Sequence, residues 1–357
     1  MTPEYSAKLA KLTRIGLDND VETIVLRKQG SLSWLFGGRS NVPNTLDAAC
    51  FDAVIRDGEV TIITNRIEAP RLQDTELAGF ELNWQIIDWW QGRPGQLPTG
   101  TSVGSDLPYA DAIDLSEPIA QQRRSLDALQ VAQLRGVAAD TAAAMTQAAQ
   151  LLTPELTEYE AAGVLAHSMM GFEIDPVVLM VAGARRMPLH RHPLPTSELL
   201  GNRVMLVTCG RRDGLIASST RIVTFAPVSK EERARYDAIL EVEADFLDNT
   251  RVGLPIGEIF AESVKSYARN GFAPLEWHRH HQGGFSGWES REFPANPASP
   301  QLVPENTVIA WNPSGDGWKV EDTTLVTSDG AEVLDLDGVW PTLEVRGRQR
   351  PDLLELA

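Results

Sequence analysis

Residues Val204 to Phe225 read VMLVTCGRRDGLIASSTRIVTF. The apolar run Val204, Met205, Leu206, Val207 leads through Gly210 to the pair Asp213-Gly214. A second β-rich run follows, with Leu215, Ile216, Ile222, Val223 and Phe225. Turn residues between two such runs predict a β-hairpin. Its polar positions include the hydroxyl-bearing Thr208 and Ser218. Hydroxyls are neutral and hold divalent cations poorly beside anionic or imidazole ligands.

At 357 residues the chain is long enough for a large core and two domains. Hydrophobic residues at 43% and charged residues at 23% are ordinary for a globular protein. Its net charge of −17 argues against a nucleic-acid or anionic-membrane partner, since phosphate binding needs a basic patch. Two cysteines, Cys50 and Cys209, lack metal-type spacing, which predicts a reducing compartment without disulfides. With neither a signal segment nor a membrane-spanning apolar run, the expectation is a cytoplasmic protein.

Upstream of the hairpin, Glu22–Leu26, Leu32–Leu35, Ala49–Ile55 and Glu59–Ile63 read as strands, and Gly92–Gly104 as loop. A domain boundary is expected at Gln121–Ser125, giving domains 1–122 and 123–357. Beyond it a long helix starts near Ser125. Capping boxes at Thr157–Glu160 and Ser229–Glu232 head two more helices, and Glu258–Arg269 forms a fourth. Helices alternating with antiparallel strands, without a βαβ rhythm, predict an α+β fold.

Four further stretches carry polar groups suited to catalysis. Arg191-His192-Pro193 precedes the hairpin, and His278-Arg279-His280-His281-Gln282-Gly283-Gly284 follows it. Trp288-Glu289-Ser290-Arg291-Glu292 comes next. Ala310-Trp311-Asn312-Pro313 and Glu321-Asp322 complete the set. An imidazole titrates near neutrality and so suits acid–base work. In an extended His278–His281 segment, His278 and His280 would share one face and His281 the other. That predicts exposure for the first two and no simple convergence. Cys209 reads as buried filler.

With its hairpin and these stretches, the chain resembles the pita-bread family of methionine and Xaa-Pro aminopeptidases, prolidases and creatinase. The resemblance implies a small N-terminal α/β domain followed by a pita-bread domain. It places His192 at the substrate histidine, and His281 and Glu321 at two of five metal-ligand positions. The other three positions fall on Thr208, Ser218 and Asn312. Phe36-Gly37-Gly38-Arg39 resembles the creatinase turn whose arginine reaches a neighbouring subunit's site. From this follows the expectation of a creatinase-like, metal-independent hydrolase with no metal or cofactor. It would cleave a C–N bond in a small guanidino, amidine, lactam or amide substrate. His192, Glu321 and His281 would be catalytic, and Arg39, Arg291, Glu292, Asn312, Thr208 and Ser218 would bind substrate, in a homodimer. The alternatives are an Xaa-Pro-type metallopeptidase and a non-catalytic ligand-binding relative.

Overall fold

The computed structural model describes residues 3–38, 48–107 and 109–356. They form two compact units, Met1–Asp127 and Ala128–Ala357. The first is built on a six-stranded sheet in the spatial order Asn83–Ile87, Glu59–Asn65, Ala48–Arg56, Thr23–Lys28, Val103–Ser105, Ile113–Asp114. Its central strands pair antiparallel and its outer ones join in parallel. Leu32–Leu35, expected as a strand, lies instead in the helix Gln29–Phe36. Nearly every residue of that helix is buried, so its apolar run has no polar face to reveal a period. Arg39 lies outside the described residues.

In the second unit the hairpin forms as Arg203–Arg212 and Leu215–Thr224, paired antiparallel from Arg203 opposite Thr224 to Arg212 opposite Leu215. Asp213 and Gly214 close it with φ of 50° and 86°. Positive φ at both positions gives the turn a twist matching that of the strands. Asp175–Gly183 joins the first hairpin strand and Leu354–Glu355 the second. Helices Ala128–Ala149 and Glu158–Gly171 pack on this sheet. Both capping boxes form, at Thr157–Glu160 and at Ser229–Glu232. The helix expected over Glu258–Arg269 is divided into Ile256–Ser263 and Ser266–Arg269.

A second sheet runs Gly283–Phe285, Thr307–Trp311, Asp322–Thr327, Gly330–Val333. It is stitched to the hairpin: Ser218 N donates to Thr323 Oγ1 at 2.8 Å, and Thr220 N donates to the Glu321 carbonyl at 2.9 Å. Beneath this seam Asp322 accepts from Arg221 at 2.8 Å and from Arg350 at 2.6 Å, and Arg350 also grips Glu243. These four side chains are almost fully buried, so each charge depends on its neighbours for solvation. The Trp311 ring packs 4.8 Å from Phe246, and its N–H donates to Thr250 Oγ1 at 2.9 Å. The strand ends that Asn312 and Glu321 adjoin, at Trp311 and Asp322, are thereby fixed from below. Together the units give the expected α+β architecture. No helix among the described residues is long and apolar enough to cross a membrane.

Gly283 has φ of 103°, and a Cβ there would stand 2.0 Å from the Ala310 carbonyl oxygen. Gly283→Ala is therefore expected to cost about 3 kcal/mol in urea denaturation, from backbone strain plus forced separation of two strands. An unchanged midpoint would contradict this close approach.

Candidate active site

The hairpin presents alternate residues to opposite sides. Val207 and Cys209 line a cavity of about 300 Å³, together with Val178 and Met180 from the neighbouring strand. Thr208 points the other way. Its Oγ1 donates to the Val178 carbonyl at 2.9 Å and lies 3.1 Å from the Met169 sulfur. The expectation that Thr208 binds substrate is therefore corrected: strand alternation makes its neighbours the wall. Ser218 sits opposite Cys209, their Oγ and Sγ 3.3 Å apart, and is not on the cavity wall. Burial pushes the Cys209 thiol up to about 11, leaving it protonated and a poor nucleophile.

Glu321 is the cavity's only carboxylate among the described lining residues. It is 2% exposed, and both its oxygens are engaged. Arg291 donates to Oε1 at 2.8 Å and Lys319 to Oε2 at 2.6 Å, while Arg291 also donates to the Ala310 carbonyl at 3.1 Å. Burial pushes the Glu321 carboxyl up, but Lys319 and Arg291 outweigh it and hold the group at about 2. One carboxylate against two cations leaves a net positive charge in this part of the wall. Glu292, expected beside Arg291 in the pocket, lines neither this cavity nor the one described next. Its backbone N–H pairs with the Phe285 carbonyl, and only Arg291 turns inward.

Lys319 escaped sequence reasoning although a signal was present. Trp318-Lys319-Val320-Glu321 alternates apolar and charged residues, and the period of two sets Lys319 and Glu321 on one side. Asn312 also lines the cavity, and its Oδ1 is buried without a hydrogen-bond partner.

Three imidazoles gather at one side. His192 and His281 line both this cavity and an adjoining one of about 750 Å³ whose wall also includes His280. Ring centroids lie 4.9 Å apart for His192 and His280, 5.2 Å for His192 and His281, and 4.7 Å for His280 and His281. The expected divergence of this run, with His280 exposed, is corrected. Glu276–Arg279 winds as a 3-10 turn rather than a strand, so alternation does not apply, and His280 is 7% exposed. His280 Nδ1 meets Ser314 Oγ at 3.1 Å and its Nε2 faces His192 Nε2 at 3.1 Å. His278 is exposed, as expected. Burial first, then nearby cations, lowers the proton affinity of all three clustered rings, His281 to about 4. Each is neutral at pH 7.

With this geometry in view, three comparisons bear on identity. The sequence profile of metallopeptidase family M24 matches residues 132–328, more than half the chain. An uncharacterized peptidase of Staphylococcus aureus is 28% identical over 121 residues, covering 32% of this chain. The alignment spans only 34% of that relative's length. Among solved structures, the prolidase from Pyrococcus horikoshii superposes with a TM-score of 0.78 at 16% identity, covering 92% of this chain and 98% of that one. Dipeptidase PepE from Mycobacterium ulcerans gives 0.77 at 18% identity, over 99% and 98%.

These findings overturn the expected metal-independent, creatinase-like cleavage of a small C–N substrate, because the matched family is one of metallopeptidases and the fold matches are a prolidase and a dipeptidase. They do not restore here the five-ligand metal centre that the resemblance implies. Thr208 is turned away, Ser218 meets Cys209, Asn312 is uncharged, and Glu321 has both oxygens taken by fixed cations. The donors at those positions do not fit such a centre.

Removing one partner of a buried ion pair strands the other charge. Lys319→Met is expected to destabilise the fold by about 3–5 kcal/mol at pH 7. The Glu321 contribution, from a folded pKa held below its unfolded value, is present above about pH 4.5 and is lost as pH falls toward about 2. Denaturant midpoints between pH 7 and pH 2 test both. Equal stability of variant and parent at pH 7 would contradict the clamp.

Proposed function

The chain belongs to metallopeptidase family M24, and from that premise we propose that it hydrolyses the peptide bond of short peptides of the Xaa-Pro dipeptide class. The observation that carries this reading is the polarity of the smaller cavity. Val178, Met180, Val207 and Cys209 give one apolar wall suited to a pyrrolidine ring. Arg291 and Lys319, only half neutralised by Glu321, supply a positive end suited to a C-terminal carboxylate. A volume of about 300 Å³ fits a small ligand of this size. Asn312 Oδ1, buried and unpartnered, is an acceptor for a substrate N–H.

The histidine cluster borders this cavity and supplies the reactive edge. A neutral imidazole offers a lone pair, which serves either to accept a proton from the attacking water or to hold an electrophilic ion. His192, shared by both cavities, is the ring placed to act on the bond beside the bound ring and carboxylate.

Incubating the purified chain with Xaa-Pro dipeptides, with and without added divalent transition ions, and following amino-acid release by mass spectrometry tests the reading. Cleavage is expected, with weaker turnover of C-terminally amidated substrates. His192→Ala should lower kcat/KM by about 10²–10⁴. Tight dipeptide binding without release under any condition would replace a hydrolase with a binding protein.

A further inference from the structure

We propose that His192, His280 and His281 form a binding site for a single divalent transition ion of the zinc class, a ligand set that shares only His281 with the five positions the family resemblance implies. Each residue contributes one ring nitrogen, and the three nitrogens lie within 4.8 Å of one another. His192 Nε2 and His280 Nε2 stand 3.1 Å apart. Tetrahedral zinc with bonds of about 2.0–2.1 Å places ligand nitrogens roughly 3.3–3.4 Å from each other, so this pair needs to open by only a few tenths of an ångström. The His281 nitrogen, within 4.8 Å of the other two, has to close on them to complete the set.

Two details point to a ligand rather than to packing alone. His281 Nδ1 is buried and has no hydrogen-bond partner, a state that carries a desolvation penalty unless something fills it. His280 Nδ1 is met by Ser314 Oγ at 3.1 Å. When Ser314 Oγ accepts from Nδ1–H, the Nε2 lone pair of His280 faces His192, the arrangement found behind metal-bound imidazoles. Both facing Nε2 atoms can then donate to one cation, whereas without it they must share a single proton.

The chemistry selects the ion. An all-imidazole set suits zinc, copper, cobalt or nickel, and is poor for magnesium or calcium, which need oxygen donors. Cavities on both sides of the cluster leave a fourth position open, as in catalytic rather than structural sites. The nearest fixed charges are Arg291 and Lys319 with Glu321 between them, and Arg191 paired to Glu276. Their net positive charge weakens cation affinity but favours an anionic fourth ligand, such as a substrate carboxylate or hydroxide. Such an ion, when bound, would polarise a water or a carbonyl oxygen. In this arrangement His192 acts as a ligand and not as the proton acceptor. The inference rests on the peptidase reading for its chemical purpose, but its geometry stands without it.

The test is made on the full chain, stripped with chelator and titrated with zinc chloride by calorimetry in the absence of peptide. One equivalent is expected to bind, and cobalt(II) in its place should give the intense visible absorption of a tetrahedral ion. His192→Ala, a substitution at a solvent-exposed ring that does not threaten folding, and His280→Ala should each weaken binding by at least tenfold. His278→Ala should leave it unchanged, since that exposed ring lies outside the cluster, and magnesium should not bind. Absence of stoichiometric uptake would overturn the proposal, as would equal uptake by the His192 and His280 variants or loss in His278→Ala. Zinc uptake without dipeptide turnover would remove the peptidase reading and leave the site. Turnover by protein that takes up no ion would do the reverse.

Discussion

A single buried carboxylate determines the character of the site. Glu321 is buried at the seam between two sheets, where desolvation pushes its pKa up. Lys319 and Arg291 keep it charged by direct hydrogen bonds to both oxygens. The next residue, Asp322, is anchored from the opposite side by Arg221 and Arg350. Glu321 and Asp322 thus present opposite faces of one extended segment, each bound to two cations. In a low-dielectric interior such networks are rigid, since any rearrangement leaves a charge unpaired. The cavity wall inherits that rigidity together with a residual positive charge.

The clamp also decides which donors the site can offer. A carboxylate whose oxygens are occupied by ammonium and guanidinium groups is not available to a cation. The hairpin offers Val207, Cys209 and Ser218 rather than carboxylates near the same face. What the cavity retains is a gradient from an apolar wall to a cationic end, and beside it three neutral imidazoles. That gradient suits a zwitterionic or anionic small peptide better than a cationic guanidino compound, which the Arg291–Lys319 end would repel. The physical character of the cavity therefore supports the short-peptide substrate proposed above.

Much of this was legible in the residues. The hairpin, its Asp213-Gly214 turn, both capping boxes and the α+β class follow from local rules that burial does not override. His192, His281, Arg291, Asn312 and Glu321 were singled out and the structure brings them to one cavity. The errors have distinct origins. The family resemblance puts Thr208 at a ligand position, whereas its facing is set by the pairing register, which sequence alone does not give. His280 was assigned to the surface on a strand assumption, and the chain there makes a turn. Lys319 went unread because lysines are rarely buried, and the Glu321 carboxylate that compensates it here is shared with Arg291. Leu32–Leu35 lacked any period to distinguish helix from strand.

The most direct measurement is a crystal structure with a slowly cleaved Xaa-Pro analogue in the cavity. The account predicts the ligand carboxylate between Arg291 and Lys319, the ring against Val178 and Val207, and the scissile carbonyl directed toward His192 and His281. A ligand seated in the larger cavity, or bound with its amino end at Arg291 and Lys319, would contradict it.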